Sequence, residues 1–179
     1  TIDFSNIDIY NQIRLSSNSG LTGIIISTSS GNTSLFQAFN CSLAGTLDIS
    51  NMTLTGNVTL SGNDLTGLIS SASTATSLLL NSNNFSTLDL SNFTSLTFLQ
   101  INNNLSLSTL TLPASSGAFT LFRADVCSLP YIDLSSLTFA ANVDIRLQNN
   151  SMIAAEVNCI LVDLDATLPG SGTGKVNIA

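Results

Sequence analysis

One polar position recurs along the chain at nearly constant spacing, each time closing a short apolar run. Its occupants are Asn18, Cys41, Asn63, Asn83, Asn104, Cys127 and Asn150, separated by 23, 22, 20, 21, 23 and 23 residues. Three residues earlier stand Leu15, Ala38, Leu60, Leu80, Ile101, Ala124 and Leu147. Five residues earlier stand Ile13, Phe36, Val58, Leu78, Leu99, Phe122 and Ile145. Leu43, Leu65, Phe85, Leu129 and Met152 follow the polar position by two. A period this short cannot enclose a core within one repeat, so each turn has to bury its apolar pair against its neighbours.

The columns have direct physical meanings. Alternation places two side chains per turn on one face of a strand. Stacked turns then give a parallel sheet whose inner face is one continuous core. Where the chain bends inward after the strand, backbone groups leave water, and a buried carboxamide can satisfy them in its own turn and the next. Cysteine fits the same slot as a small, weakly hydrogen-bonding group. A second apolar pair follows at Ile24–Ile26, Leu47–Ile49, Leu88–Leu90, Leu110–Leu112 and Ile132–Leu134, with a degenerate copy at Leu68–Ile69. These segments are too short for helices and alternate with period two, which predicts strands on the opposite side as well.

The combined pattern, L-x-L-x-x-N/C-x-L, resembles the leucine-rich repeat over nearly the whole chain. The expected fold is a β-rich leucine-rich-repeat solenoid of seven coils, with a concave parallel sheet, short convex strands and a C-terminal capping helix. Residues 1–150 form the solenoid, entered in mid-repeat because Ile2-Asp3-Phe4-Ser5 matches the convex L-D-L-S segment; residues upstream are expected to have been removed. Residues 151–179 form the cap. Val157, Ile160, Leu161 and Leu164 make one helical stripe, predicting a helix over Ala154–Asp165, followed by a Gly-rich loop and a convex return strand at Val176-Asn177-Ile178. The ending N-N-S-M-I-A-A-E-V-N-C-I-L-V-D-L-D is similar to the terminal coil of leucine-rich-repeat proteins from environmental bacteria and their phages, although Ile153 replaces the expected Ser or Thr helix cap. The resemblance implies an extracellular, cell-surface or virion location.

Composition narrows the function. Apolar residues are 44% and charged residues 8% of the chain, whose net charge is −7 with only four basic side chains. A nucleic-acid partner needs a clustered basic face, so none is expected. No apolar run is long enough for a membrane span. The chain has no His, which excludes Ser–His and Cys–His nucleophilic pairs and His-ligated metals. No cofactor, metal or catalytic residue is assigned, and no enzyme activity is expected. Cys41 and Cys127 lie four coils apart, roughly 19 Å at about 4.8 Å per coil, too far for a disulfide; all three cysteines, including Cys159 on the cap helix, are expected to be buried thiols. Gly170-Ser171-Gly172-Thr173-Gly174-Lys175 fails as a phosphate loop, since Pro169 and Val176 occupy required Gly and Ser/Thr positions. Asp3, Asp48, Asp89 and Asp133 share a convex column interrupted by Ile25, Ile69 and Thr111, and read as solvated charges. Of eight N-x-S/T sequons, the one at Asn104 belongs to the buried ladder and is not expected to carry a glycan.

The remaining candidate is the concave face. Its central outward column is Arg14, Gln37, Thr59, Leu79, Gln100, Arg123 and Arg146, flanked by Phe39, Asn81, Asn102, Asp125 and Gln148 on one side and Leu35, Phe98, Leu121 and Asp144 on the other. Leu79, Phe98 and Leu121 should form an exposed apolar patch beside Arg123, a composition typical of interface hot spots. The expectation is a non-catalytic structural or recognition module of a larger cell-surface or virion protein, binding a protein partner through this face or stacking with neighbouring domains or subunits. A glycan-binding module using Phe39 or Phe98 is the alternative, and an ice-binding surface a remote one.

Overall fold

A computed structural model describes residues 1–6, 11–26, 32–168, 170 and 173–178. The chain winds a β-solenoid of about six turns with a parallel sheet and one C-terminal helix. In chain order the elements are β1 (Ile2–Asp3), β2 (Asn11–Arg14), β3 (Ile24–Ile25), β4 (Asn32–Gln37), β5 (Ala44–Asp48), β6 (Thr53–Thr59), β7 (Asp64–Ile69), β8 (Ser77–Leu79), β9 (Thr87–Asp89), β10 (Phe98–Gln100), β11 (Thr109–Thr111), β12 (Ala118–Arg123), β13 (Thr138–Arg146), α1 (Ala154–Thr167) and β14 (Lys175–Asn177). Eight of the strands form one broad parallel sheet in the order β14-β13-β12-β10-β8-β6-β4-β2. Ile13, Phe36, Val58, Leu78, Leu99, Phe122 and Ile145 fall in register across it, all buried.

The polar ladder works as a set of ties between successive turns. Asn63 Nδ2 donates to Leu60 O (2.9 Å) in its own turn and to Ala38 O (2.8 Å) in the preceding one, while its Oδ1 accepts from Leu43 N (3.2 Å). Asn83, Asn104 and Asn150 repeat this arrangement, taking the N–H groups of Leu65, Phe85 and Leu129 respectively. Asn63, Asn83 and Asn104 are buried. Asn150 is half-buried, and Asn18 is exposed. Asn18 makes the bonds within its own turn, to Leu15 O and Ser16 O.

Cysteine fills the slot differently. Cys41 and Cys127 offer Sγ to Leu15 O (3.2 Å) and Ile101 O (3.5 Å) of the preceding turn, but a thiol has no counterpart to the amide oxygen. The preceding turns compensate. There the apolar residue stands three positions after the ladder, and its own N–H closes on the ladder carbonyl: Leu21 N to Asn18 O and Leu107 N to Asn104 O, both 2.9 Å. Loop form and the identity of the next ladder residue therefore change together.

The residue just before each ladder position has a positive φ: Ser17 (62°), Asn40 (50°), Gly62 (66°), Ser82 (58°), Asn103 (59°), Val126 (57°) and Asn149 (58°). This left-handed step turns the chain off the sheet. Asn and Gly suit it; the β-branched Val126 is strained there. At Gly56 the constraint is space, because a Cβ would run into the Ser34 carbonyl of the adjacent strand.

On the opposite side the strands pair two by two, β1 with β3, β5 with β7 and β9 with β11. The first strand of each pair carries Asp3, Asp48 or Asp89, and its partner aligns Ile25, Ile69 or Thr111 with it. The segment Ile132–Leu134 is buried as expected but is not a strand; Leu134 N is taken by Asp163 Oδ2 of α1 (3.3 Å), which holds the segment to the cap instead of to β11.

Helix α1 covers the last turn with Ile160 and Leu164 buried and Val157 half-buried, whereas Leu161 is exposed, so the apolar stripe is narrower than expected. Ile153 at its N-cap makes no side-chain capping bond. Cys159 is exposed too: at 100° per residue it sits a quarter-turn from Ile160, on the flank beside Tyr131. The return strand differs most. Val176 pairs with Ile145 and Lys175 with Asp144, so β14 extends the broad sheet rather than the opposite side; it covers the edge that β13 would otherwise leave unpaired.

Candidate functional site

The outward columns of the broad sheet follow from strand register. Arg14, Gln37, Thr59, Leu79, Gln100, Arg123 and Arg146 align in sequence across the strands, and Asn177 on β14 completes the row. Beside it run Gln12, Leu35, Asn57, Ser77, Phe98, Leu121, Asp144 and Lys175. Eight of the nine binding candidates thus share one face, and Phe39 lies two residues past the end of β4, in the column of Asn102 and Asp125. Arg14 is exposed, and Gln37, Phe39, Leu79, Phe98, Gln100, Leu121, Arg123 and Arg146 are half-buried.

The apolar patch is correspondingly less open than expected. Phe98 aligns with Leu121, and Leu79 lies on the adjacent strand, where a strand spacing of about 4.8 Å lets the side chains shield one another. The large apolar residues most exposed to solvent lie elsewhere, at Ile25, Ile69, Leu105, Tyr131, Ile153, Leu161, Val162 and Val176.

Charged groups on the face are held in fixed positions. Arg123 donates through Nε to Asp125 Oδ1 (3.1 Å) and through Nη2 to Asp125 Oδ2 (3.2 Å). Arg146 donates through Nε and Nη2 to Asp144, the shortest bond being 2.7 Å. The Arg146 hydrogen bond holds the Asp144 carboxyl below its ordinary value, with Arg146, Lys175 and Arg123 adding charge attraction. Arg14 donates to Gln12 Oε1. Asn102 and Asp125, expected to face outward, are buried at 4% and 5% exposure because their column lies where the chain already bends off the sheet. Asn102 Oδ1 and Gln148 Oε1, either side of Asp125 in that column, have no hydrogen-bond partner.

The acidic column on the opposite side has a structural explanation. Asp3, Asp48, Asp89 and Asp133 each accept from the N–H of the Ser two residues on, at 2.7 to 3.0 Å. These are Asx turns, and bonds from the serine hydroxyl and backbone hold all four carboxyls below their usual range. The L-D-L-S motif is thereby a turn signal. Burial pushes the Cys127 thiol up to about 11, leaving it unreactive at neutral pH.

Sequence reasoning missed Lys175, which β14 carries onto the broad sheet. The signal was present: Lys175-Val176-Asn177 repeats the polar–apolar–polar order of Asp144-Ile145-Arg146. Of the rejected phosphate loop, Pro169, Ser171 and Gly172 lie outside the described residues. Among the described residues no three His, Cys, Asp or Glu side chains converge to hold a metal ion, and no helix is long and apolar enough to cross a membrane. Compared with protein-family models, with curated proteins and with solved structures, the chain matches none.

Proposed function

We propose that the chain is a leucine-rich-repeat protein of seven coils, one per ladder residue, and a non-catalytic recognition module of a larger cell-surface or virion protein. In this reading the broad sheet is its concave, partner-binding face. The observation that carries it is the unbroken alignment of Arg14, Gln37, Thr59, Leu79, Gln100, Arg123 and Arg146 across adjacent strands. A sheet with one face packed on the core and the other lined by Arg, Gln, Phe and Leu offers rigid side chains at regular spacing, which lowers the ordering cost of binding. The extracellular or virion location rests on the family resemblance.

The test is binding on peptide and glycan arrays with face-specific variants. Phe98→Ala and Gln100→Ala should each weaken whatever binding the arrays detect, and Ile69→Ala and Asp89→Asn on the opposite side should leave it unchanged. Binding that ignores the first pair and responds to the second would place the partner on the other side.

A further inference from the structure

We infer that the partner of the broad sheet is an acidic protein segment carrying apolar side chains, an inference that rests on the concave-face reading above. Charge is segregated in this molecule. All four basic residues, Arg14, Arg123, Arg146 and Lys175, lie on the broad sheet, the fourth brought there by β14. Among the described residues only Asp144 lies on its strands, and Asp125, two residues past the end of β12, is bonded to Arg123; counting both, the face carries four positive and two negative charges, a net +2. The other eight described acidic residues (Asp3, Asp48, Asp64, Asp89, Asp133, Glu156, Asp163 and Asp165) lie off it, with no basic residue among them. A chain of net charge −7 that gathers every cation on one face attracts anions there and repels them everywhere else, which orients an approaching partner.

Three of the four cations, Arg123, Arg146 and Lys175, lie at the α1 end together with Asp125 and Asp144, a net +1 there, and the two arginines are pre-positioned. Arg123 and Arg146 each spend Nε and Nη2 on a neighbouring carboxylate, and Nη1 takes part in none of these bonds. A guanidinium fixed in this way meets an incoming carboxylate with little further loss of side-chain freedom. Next to Arg123 lies the half-buried shelf of Leu79, Phe98 and Leu121. That shelf separates the candidate anions. Two aliphatic side chains and one ring gain by covering with apolar groups, which an acidic polypeptide supplies and a polyuronate does not. A nucleic-acid backbone needs far more than +2 against the eight described carboxylates elsewhere on the molecule.

The experiment is selection of short random peptides on phage against the whole chain, with affinities measured on the chain and on Arg146→Gln/Lys175→Glu. Both substituted side chains are partly or fully exposed, and an unchanged thermal melt establishes that the variant is folded. Recovered peptides should combine Asp or Glu with Leu, Phe or Trp. They should bind the double variant at least about tenfold more weakly, weaken again when salt is raised from ~50 to ~500 mM, and lose affinity on Phe98→Ala. Neutral or basic peptides that respond to Phe98→Ala would overturn the acidic partner while leaving the face intact. Peptides indifferent to all three substitutions would overturn both. Failure to recover peptides, with retention on immobilised polyuronate that the double variant loses, would replace the protein segment by an acidic glycan.

Discussion

On the broad side every strand between β2 and β14 is paired on both edges, whereas on the opposite side pairing stops after every second strand. Both sides are written in the same alternation of apolar and polar residues. The difference lies in where each side finds partners for its turns. Off the broad sheet, the bend is closed by carboxamides that reach into the preceding turn, so each closure also ties two turns together. Opposite, each Asp closes a bend with a Ser two residues away in its own turn. These self-contained closures impose no order between turns, and where strand pairing breaks between β7 and β9 the turns are joined instead by Asn92 Nδ2 to Ser70 O (2.8 Å) and Ser73 N to Asn92 O (2.9 Å).

Removing one closure from each side should give the largest contrast. Asn104→Ala leaves Phe85 N without its acceptor and removes one donor each from Leu80 O and Ile101 O, which keep only Asn83 Nδ2 and Cys127 Sγ, all in a fully buried setting, at a cost of about 3 kcal/mol. Asp89→Ala loses one exposed Asx turn and should cost less than about 1 kcal/mol. Urea unfolding of both variants measures the difference, and equal losses would dissolve the distinction between the two sides.

Exchanging ladder residues sharpens it within the broad side. Asn83→Cys leaves Leu65 N without its acceptor and should cost about 2 kcal/mol. Cys127→Asn installs an amide oxygen opposite a Leu107 N–H that is already engaged, and should also destabilise, by about 1 kcal/mol. If either exchange proved neutral in the same unfolding assay, the pairing of loop form with ladder identity would be incidental. Val126→Asn should raise stability by about 1 kcal/mol, because Asn tolerates the left-handed step that Val resists, and a lower melting temperature would contradict the strain assigned to that position.

The smallest effect concerns pH. Asp48, Asp89 and Asp133 have carboxyls lowered by their turn bonds. Their contribution is fully present above the unfolded value of about 3.9 and is lost as pH falls through the lower folded value. Melts between pH 7 and 2 should therefore decline only below about pH 4, and Asp48→Asn/Asp89→Asn/Asp133→Asn should flatten part of that decline. The part that remains belongs to Asp144, held by Arg146 on the other side, and to Asp3 in its own turn with Ser5.

The solenoid was legible because its information is periodic. Ile13 to Ile145 and Asn18 to Asn150 repeat a single instruction, and each copy corroborates the rest. What escaped was aperiodic or depended on neighbours. Nothing local to Val176 says on which side a strand will settle; the open edge of β13 decides it. Leu161 and Cys159 were misplaced because a stripe of apolar residues on a helix overstates what one turn of solenoid can cover. Ile132–Leu134 has the strand pattern, but Asp163, 29 residues beyond Leu134, takes the Leu134 N–H. The outward face of the broad sheet was legible as columns of residues, yet its charge balance was not, since Lys175 reaches it only through the tertiary position of β14.

The coupling between loop and ladder also fixes where this molecule can be cut. A turn excised from one ladder residue to the next, such as residues 64–83 or 105–127, leaves every loop facing the amide or thiol that it is shaped for. The same length removed between points on the opposite side would set the loop after Asn83, whose Phe85 N–H needs an oxygen, against the sulfur of Cys127. The interchangeable unit therefore begins at a loop and ends with the next turn's polar residue, half a turn out of phase with the apolar motif by which the eye divides the sequence.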